Sequence, residues 1–588
     1  MTQFLAGVPE LLARYRNAPP AARALIHTAM DARRLGMRQA LPHAFLEASA
    51  PGYLSDAEWD GLAEDWLEQA LAYTGAPCKG VRGPLTRIRP RPDAATAHGT
   101  GTRPTYRLAD YLDQHGRRNR RDHTPPASFW TAAVHARSGD LCALAQASAD
   151  RGLLRYSAQL YKNAAAHGIP AAAGALIDDL HALCPTDPRP AHWATAHASL
   201  DDPDGVARLL DSLQNVGAHE QTAALLARDP ATHVALDDPN GVTRLLHSLW
   251  DAGAHEQAAA LATRAAAHLP FDNPYDVAKL LDSLQNVGAH EQAATLLARD
   301  PATHVALDDP NGVGSLLHRL RDAGAHEQAA ALAARAATHA RFDAPFSVST
   351  LVDDLQNVGA HEQAAALLAR DLATHVSLDD LDGVAYLIES LQDTGAHEQA
   401  AILAARAAAH APLDDPDDVA SLLDTLQNVG AQDQAAALLA RDPAAHVFLV
   451  DPFGVARLLD SLQYHGAHEQ AAALLARDPA THISLSHPFG VGFLLDSLWN
   501  AGAQDQAAAL AARVAAHLPP DDPHGVASLL ESLRNAGAQE QAAMLSTRLP
   551  AAGMFKLFLQ QDGMGDRFRF GREADGTPAA HWDWEDLD

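Results

Sequence analysis

The chain has 588 residues and a formal net charge of −29, from 44 Lys and Arg against 73 Asp and Glu. A chain of this length exceeds one compact hydrophobic core. The charge is uneven, because residues 1–160 hold 20 basic and 15 acidic residues, whereas the remainder holds 24 and 58 and is therefore at −34. Such an acidic surface repels nucleic-acid backbones and anionic membranes and favours basic protein partners, so we expect nucleic acid to be an unlikely partner.

The cysteine content and the hydropathy indicate a cytoplasmic protein. Cys78, Cys142 and Cys184 lack the spacing of a metal site or a disulfide framework, which is typical of a reducing compartment. The sequence has no apolar run long enough to span a bilayer, and its first residues lack the apolar region of a signal peptide. We therefore expect no membrane association.

The N-terminal part of the chain predicts three helices and a pair of strands. The helices are expected at 21–35, 42–49 and 56–74. The last of them begins with a capping box formed by Ser55 and Glu58. The segments PLTRIRP and PTYRL predict two paired strands on either side of a flexible insert at 91–103. This pattern indicates a small winged-helix-like domain.

A basic run, Arg117–Arg121, follows the predicted strands. Winged helices often bind DNA, and a run of this kind can contact phosphates. The other interpretation is a solvated linker or hinge. The sequence leaves both interpretations open.

The most regular feature of the chain is a glycine that recurs ten times in steps of 35 or 36 residues. The glycines are Gly217, Gly253, Gly288, Gly324, Gly359, Gly395, Gly430, Gly466, Gly502 and Gly537. A period in this range is typical of a solenoid of stacked helix pairs. We therefore predict an all-α fold, a right-handed α-solenoid of helix-turn-helix repeats of about 35 or 36 residues, preceded by the winged-helix-like domain.

The unit around Gly217 shows how the sequence predicts each helix pair. Asp202 can cap a helix that starts at Pro203, and apolar residues follow at helical spacing. Gly217 ends this helix, because glycine tolerates the left-handed backbone at a helix C-terminus. A second, alanine-rich helix follows and is interrupted at Asp229-Pro230. In alternate units the second helix lacks this interruption, so the full pattern repeats about every 71 residues over much of the array.

These boundaries give a domain organisation of five parts. They are an N-terminal segment 1–17, the winged-helix-like domain 18–122, degenerate helical repeats 123–200, ten clear repeats 201–550, and a C-terminal cap with an acidic tail 551–588. We expect Trp582 and Trp584 in the tail to cover the apolar face of the last repeat.

The repeat units resemble tetratricopeptide-type repeats in the glycine and in the alanine five residues after it, although that family has a period of about 34. The steps of 35 residues and the core LLDSLQNVGAHEQA are equally similar to pentatricopeptide repeats, which bind RNA. That resemblance implies that the residue nine before each glycine aligns with the base-reading site of pentatricopeptide repeats.

Nearly the whole chain also resembles the region that follows the ATPase in actinobacterial STAND-type signalling NTPases. The resemblance is carried by PPAARALIHTAMDARRLG, LPHAFLEASAPGYL, APCKGVRGPLTRIRPRP, YRLADYLDQHGRR and the ending FRFGREADGTPAAHWDWEDLD. It implies a part in signalling or defence. The sequence contains no G-x-x-x-x-G-K-[ST] motif, so it is either a stand-alone derivative or a fragment that lacks the ATPase.

Polar residues that could suggest a metal site recur in every unit. Histidines follow the glycine by two residues or lie near the end of the second helix, and Asp-Asp-Pro loops precede the first helices. Packed helices lie about 8–10 Å apart, too far for successive histidines to share a metal. We therefore expect packing and hydrogen bonding for the histidines and helix capping for the aspartates, and no metal, no cofactor, no catalytic group and no enzymatic activity.

Comparison of the ten units identifies two variable columns. The mid-helix column lies nine residues before each glycine and comprises Arg208, Arg244, Lys279, Ser315, Thr350, Tyr386, Ser421, Arg457, Phe493 and Ser528. The helix-end column lies three residues before it and comprises Gln214, Trp250, Gln285, Arg321, Gln356, Gln392, Gln427, Gln463, Trp499 and Arg534. Aromatic and arginine side chains often carry binding energy. The alternative is that these positions are unconstrained surface.

We expect the array to be a non-enzymatic scaffold or sensor that binds a protein partner, such as an ATPase in trans, along its surface. The partner-binding residues are predicted to be Arg208, Arg244, Lys279, Tyr386, Arg457, Phe493, Trp250, Trp499, Arg321 and Arg534. Self-association of the near-identical repeats is possible. The alternative is nucleic-acid binding, either RNA reading by the repeats or DNA contact by the winged helix.

Overall fold

A computed structural model describes residues 2–78, 82–89, 104–268, 273–339, 345–368, 372–520, 522–561 and 563–587. The insert predicted at 91–103 lies outside the described residues. The chain forms two compact units, of which unit 1 comprises Met1–Arg228 and Ser546–Asp588 and unit 2 comprises Asp229–Leu545. None of the described helices combines the length and the apolar composition needed to cross a bilayer.

Unit 1 begins with a small mixed domain. Its helices are α1 (Thr2–Arg16), α2 (Pro20–Arg34), α3 (His43–Ser49), α4 (Asp56–Asp60), α5 (Trp66–Gly75) and α6 (Asp110–Asn119), and its strands are β1 (Leu41–Pro42), β2 (Leu85–Arg87) and β3 (Thr105–Leu108). The strands form an antiparallel sheet in the order β1-β3-β2, with Leu85 opposite Leu108. The predicted strand pair is thus confirmed, whereas its assignment to a winged helix stays a prediction.

The helix predicted at 56–74 is two helices in the structure. The capping box is present, because the Ser55 side chain accepts from the Glu58 backbone and the Glu58 side chain accepts from the Ser55 backbone. The first helix ends at Gly61, and the Leu62 N–H closes a tight turn on the Trp59 carbonyl at 3.0 Å. The turn at Gly61 and Leu62 therefore separates the two helices of this segment.

The rest of unit 1 consists of further helices. They are α7 (Ala127–Ala132), α8 (Ser138–Ala149), α9 (Leu154–Ala166), α10 (Pro170–Leu183), α11 (Arg189–His197), α12 (Pro203–Asn215) and α13 (His219–Leu226). Short 3-10 turns occupy Ala50–Tyr53, Ala133–His135 and Trp584–Leu587.

Unit 2 is an array of helix pairs. Its first helices are α15 (Pro239–Asp251), α17 (Pro274–Asn286), α20 (Pro310–Asp322), α22 (Pro345–Asn357), α25 (Leu381–Asp393), α27 (Pro416–Asn428), α30 (Pro452–Tyr464), α33 (Pro488–Asn500) and α35 (Pro523–Asn535). Each first helix packs against the first helix of the next repeat. The predicted helical-repeat solenoid is confirmed.

The second helices are of two kinds that alternate over much of unit 2, and the alternation breaks near Gly430–Gly466, as the sequence predicted, where two interrupted helices follow one another. The continuous ones are α16 (His255–His268), α21 (His326–His339), α26 (His397–His410) and α34 (Gln504–His517). The interrupted ones are α18 (His290–Ala298) with α19 (Pro301–His304), α23 (His361–Leu368) with α24 (Leu372–His375), α28 (Gln432–Leu439) with α29 (Pro443–His446), and α31 (His468–Ala476) with α32 (Pro479–His482). A further short helix, α14 (Pro230–His233), begins unit 2, and α36 (Gln539–Ala552), α37 (Phe555–Leu559) and α38 (Met564–Arg567) end the helical part of the chain.

Local chemistry fixes the ends of these helices. The Asp238 side chain accepts from the Asn240 backbone N–H at 3.1 Å, next to a proline at the first helical position. At the other end Gly253 has φ of 73°, and the N–H of the following Ala254 reaches the Leu249 carbonyl at 2.9 Å. Between these signals the leucines of the first helix, such as Leu245 and Leu246, are completely buried. In unit 2 the repeated glycine therefore follows the end of every first helix, and proline begins all of them except α25, which begins at Leu381.

Candidate ligand-binding surface

Both variable columns are accessible to solvent. Every member of the mid-helix column and of the helix-end column is exposed or half-buried. Among the aromatic members, Trp250 is 37% exposed, Tyr386 55% and Trp499 43%. All ten residues predicted to contact a partner therefore occupy positions that a ligand can reach, and their role in binding stays a prediction.

Several members of the mid-helix column contact the preceding repeat. The Lys279 ammonium donates to the Asn240 side-chain oxygen at 2.7 Å. The Arg457 guanidinium lies 2.6 Å from the Asp417 carboxylate. In each pair the second residue stands thirteen before the glycine of the preceding repeat.

Two aromatic pairs follow the same rule. Tyr386 meets Phe346 edge to face with ring centroids 5.5 Å apart, and Phe493 lies 5.5 Å from Phe453. Arg208, in unit 1, instead pairs with Asp204 on its own helix at 2.9 Å. The mid-helix column is thus partly engaged in contacts within the array.

The helix-end column is chemically narrower. It contains only Gln, Trp and Arg, the side chains that offer amide hydrogen bonds, an aromatic face or a fixed positive charge. Trp250 lies against His255 with ring centroids 4.2 Å apart, and Arg321 donates to the Asn357 carbonyl of the next repeat at 2.6 Å. These contacts orient the side chains while their outer faces stay in solvent.

A ladder of polar contacts joins consecutive first helices on this surface. The residue six before one glycine contacts the residue five before the next. Ser390 donates to Asp353 at 2.8 Å, and Ser461 donates to Asp424 at 2.6 Å. Equivalent contacts are Thr425 to Glu389 at 3.1 Å, Ser497 to Asp460 at 2.8 Å and Ser532 to Asp496 at 2.7 Å. We call these contacts the first-helix ladder.

Carboxylates in the ladder are partly removed from water. Burial raises the pKa of Asp353, and the hydrogen bond from Ser390 offsets this effect in part. Asp460 has a raised pKa for the same reason. A considerable share of the acidic charge on the first helices is therefore committed to joining neighbouring repeats.

An arginine column on the second helices was missed by the sequence analysis. An arginine stands eleven residues after every one of the ten glycines. In most of the described repeats it donates to carbonyl groups at the end of the preceding second helix, whereas Arg548, in the last unit, pairs with Asp122 at 2.6 Å. Arg441 reaches the Ala408 and Ala411 carbonyls at 3.0 and 2.6 Å, and Arg406 reaches those of Ala373 and Val376. This role could have been inferred from the sequence, because the arginine is the same in all ten units while other surface positions vary.

The recurrent histidines make local hydrogen bonds. His304 Nδ1 contacts the Asp300 carbonyl at 2.9 Å, and His446 Nδ1 contacts the Asp442 carbonyl at 2.8 Å. Within the described ranges no group of three or more His, Cys, Asp or Glu side chains is placed to hold a metal ion. The hydrogen-bonding role that the sequence indicated belongs to the other column, two residues after the glycine, where His397 Nδ1 contacts Gln392 Oε1 at 2.7 Å.

The basic run is largely engaged within the N-terminal domain. Arg117 pairs with Asp113 at 2.9 Å, and Arg120 donates to both oxygens of the fully buried Asp31 at 2.9 and 2.8 Å. Burial alone would raise the pKa of Asp31, but hydrogen bonds and charges of Arg120 and Arg34 hold it below the usual value. Arg120 therefore serves the domain interior, whereas the Arg117 side chain stays half exposed at the surface.

The C-terminal tail lies against α9 and α11 of unit 1. The Trp584 ring is 5.9 Å from that of Trp193, and the Lys162 ammonium lies 4.5 Å above it. Glu585 pairs with Arg189 at 3.1 Å. The prediction that Trp584 covers the last repeat is therefore wrong, because its partners belong to α9 and α11.

No family model and no curated protein matches the chain. Solved structures with a similar arrangement include the pentatricopeptide repeat protein PPR10 in complex with an 18-nt psaJ RNA element, at 16% identity, 75% of this chain, 70% of that chain and a TM-score of 0.27. PPR10 from maize is 11% identical, with 75% of this chain and 90% of that chain covered and a TM-score of 0.20. Yeast Rmd9p in complex with 16nt target RNA is 12% identical, with 76% of this chain and 88% of that chain covered and a TM-score of 0.27. At these values the likeness concerns the helical-repeat fold.

One sequence-based expectation about partners needs correction. The acidic net charge led us to expect that nucleic acid is an unlikely partner, and this expectation is wrong. The solved structures similar to this chain include repeat proteins in complex with RNA. Net charge averages over all faces of the array, whereas a ligand meets only the columns that it contacts.

Proposed function

We propose that the repeat array binds single-stranded RNA through the mid-helix and helix-end columns. The observation that carries this proposal is the composition of the two columns. Their twenty positions contain six basic residues and no Asp or Glu, within a region whose net charge is −34. Basic side chains attract phosphates, and the absence of carboxylates removes direct repulsion at these positions.

The aromatic side chains support the same ligand. Single-stranded nucleic acids stack their unpaired bases on exposed aromatic rings, at about 1–3 kcal/mol per base. Trp250, Tyr386 and Trp499 expose such rings on first helices of unit 2. The glutamines of the helix-end column add donors and acceptors that can pair with base edges.

The remaining acidity of the array limits how much of the affinity is electrostatic. At most six phosphates could meet a basic side chain of these columns, which corresponds to a salt slope of about −4 for a single strand. The acidic groups nearby reduce this further. We therefore expect stacking and hydrogen bonding to supply most of the affinity and the salt dependence to be shallow.

Fluorescence anisotropy with the full chain and labelled single-stranded RNA homopolymers tests the proposal. Trp250→Ala with Trp499→Ala is expected to weaken binding by about tenfold or more, because two stacking platforms are lost. Phe448→Ala is the matched control, since Phe448 is 63% exposed and lies in a loop outside both columns.

Two results would contradict the proposal. One is the absence of saturable RNA binding by the native chain. The other is equal loss of affinity in the control and in the double variant. Capture of a basic protein without RNA would instead favour a protein-binding scaffold. The part in STAND-type signalling and the cytoplasmic location that the sequence indicated stay predictions.

A further inference from the structure

We propose that side-chain pairs between consecutive first helices determine the stacking order of the repeats. This inference does not depend on the proposed function. The array faces an ordering problem, because its units are nearly the same. The segment ARDPATHVALDDPNGV occurs at 227–242 and again, without change, at 298–313. Near-identical units can stack in the wrong order or exchange between molecules.

The mid-helix pairs differ in chemistry from one interface to the next. The α15–α17 interface pairs an amide with an ammonium, and α22–α25 pairs two aromatic rings. The α27–α30 interface pairs a carboxylate with a guanidinium, and α30–α33 pairs two phenyl rings. If one repeat were skipped in the stacking, Asp417 would face Phe493 instead of Arg457. A carboxylate cannot pair with a phenyl ring. At these four interfaces each first helix is thus complementary to its own neighbour.

The first-helix ladder carries a second set of differences. Most of its contacts join a hydroxyl to a carboxylate. Between α17 and α20, however, Asp282 pairs with Arg319 at 3.0 Å. Between α20 and α22 the polarity is reversed, because His318 precedes and Asp354 follows, with their atoms 3.2 Å apart. A slip that set Asp282 against Asp354 would oppose two carboxylates.

Where the ladder departs from a hydroxyl and a carboxylate, the residues on both sides of the interface differ together. Arginine at 319 coincides with aspartate at 282, and aspartate at 354 coincides with histidine at 318. Apolar leucines and alanines, by contrast, recur at every interface and cannot distinguish one neighbour from another. Polar pairs supply this distinction in helical assemblies, where a single pair can fix register. The pairs therefore specify which repeat follows which.

Three variants of the full chain separate ordering from simple stability. Arg457→Asp opposes Asp417 with a like charge, and the double exchange Asp417→Arg with Arg457→Asp restores the pair. The double variant Phe453→Asp with Phe493→Arg keeps its own pair satisfied but makes two successive interfaces alike. Each protein is unfolded in denaturant and refolded at several concentrations, and its monomer fraction is measured by size exclusion with light scattering.

The expected result is a several-fold larger oligomer fraction for Arg457→Asp, with recovery in the double exchange. The Phe453→Asp and Phe493→Arg variant is also expected to give more oligomer, because a slip by one repeat becomes permitted there. Leu458→Ala is the control, since Leu458 is fully buried and its loss lowers stability without changing any pair. Equal oligomer formation by this control would overturn the proposal, as would complete recovery of monomer by Arg457→Asp or by the variant with two like interfaces.

Discussion

Arg457 Nη1 lies 2.6 Å from Asp417 Oδ1, although 40 residues separate the two in the chain. The same offset links Tyr386 to Phe346, so one column of each repeat is matched to another column of the repeat before it. Variation along a repeat array therefore has two sources. Some positions vary because they meet a ligand, and others vary because they meet a different neighbour.

The arginine column predicts a stability effect. Arg406→Met removes hydrogen bonds to the Ala373 and Val376 carbonyls at the end of the preceding helix. Because hydrogen bonds to charged groups contribute about 1.5–3 kcal/mol each, we expect a loss of at least about 2 kcal/mol. Native-state hydrogen exchange should show the loss at the interface between α24 and α26. Arg534→Gln, an exposed arginine of the helix-end column, should leave exchange there unchanged.

Substitution of an aspartate that has a left-handed backbone is expected to lower stability. Asp300 has φ of 52°, and its carboxylate accepts from the Thr303 hydroxyl at 3.0 Å. Asp300→Ala loses this bond and retains a strained backbone, so we expect a loss of about 1–2 kcal/mol. Asp300→Asn should cost much less, because asparagine tolerates the left-handed region and keeps an acceptor. Thermal melts compare the two, and equal melting temperatures would contradict the interpretation.

Asp179 predicts a pH effect in unit 1. Burial raises the pKa of this carboxyl to about 6. The unfolded pKa is lower, so the folded state binds the proton more tightly, and stability gained below about pH 4 is lost as pH rises through about 6. Asp179→Asn should therefore raise the melting temperature near pH 7 relative to the native chain. The advantage should vanish near pH 4, and an advantage that is equal at both pH values would contradict the assignment.

The repeat architecture could be predicted from the sequence because its signals are local. Gly253 ends a helix and Pro239 starts one through their own backbone preferences, and leucine spacing identifies the buried face. The same local reasoning missed Gly61, since an isolated glycine inside an apolar pattern does not by itself show that a helix ends.

Contacts between distant segments were beyond local reasoning. The Trp584–Trp193 contact joins residues that are 391 positions apart in the sequence. The partners of Arg406 are main-chain carbonyls, which leave no trace in residue types. The candidate surface could be predicted only in part. Its columns are visible in the sequence, whereas the pairing of Lys279 with Asn240 is visible only in three dimensions.

RNA bound as proposed lies on the first helices of the array. Ultraviolet crosslinking of the full chain to single-stranded RNA, followed by mass spectrometry of the crosslinked peptides, locates the bound strand. We expect crosslinks on peptides that contain Trp250, Tyr386 and Trp499. Crosslinks confined to the N-terminal domain, or the absence of any specific crosslink, would contradict this expectation.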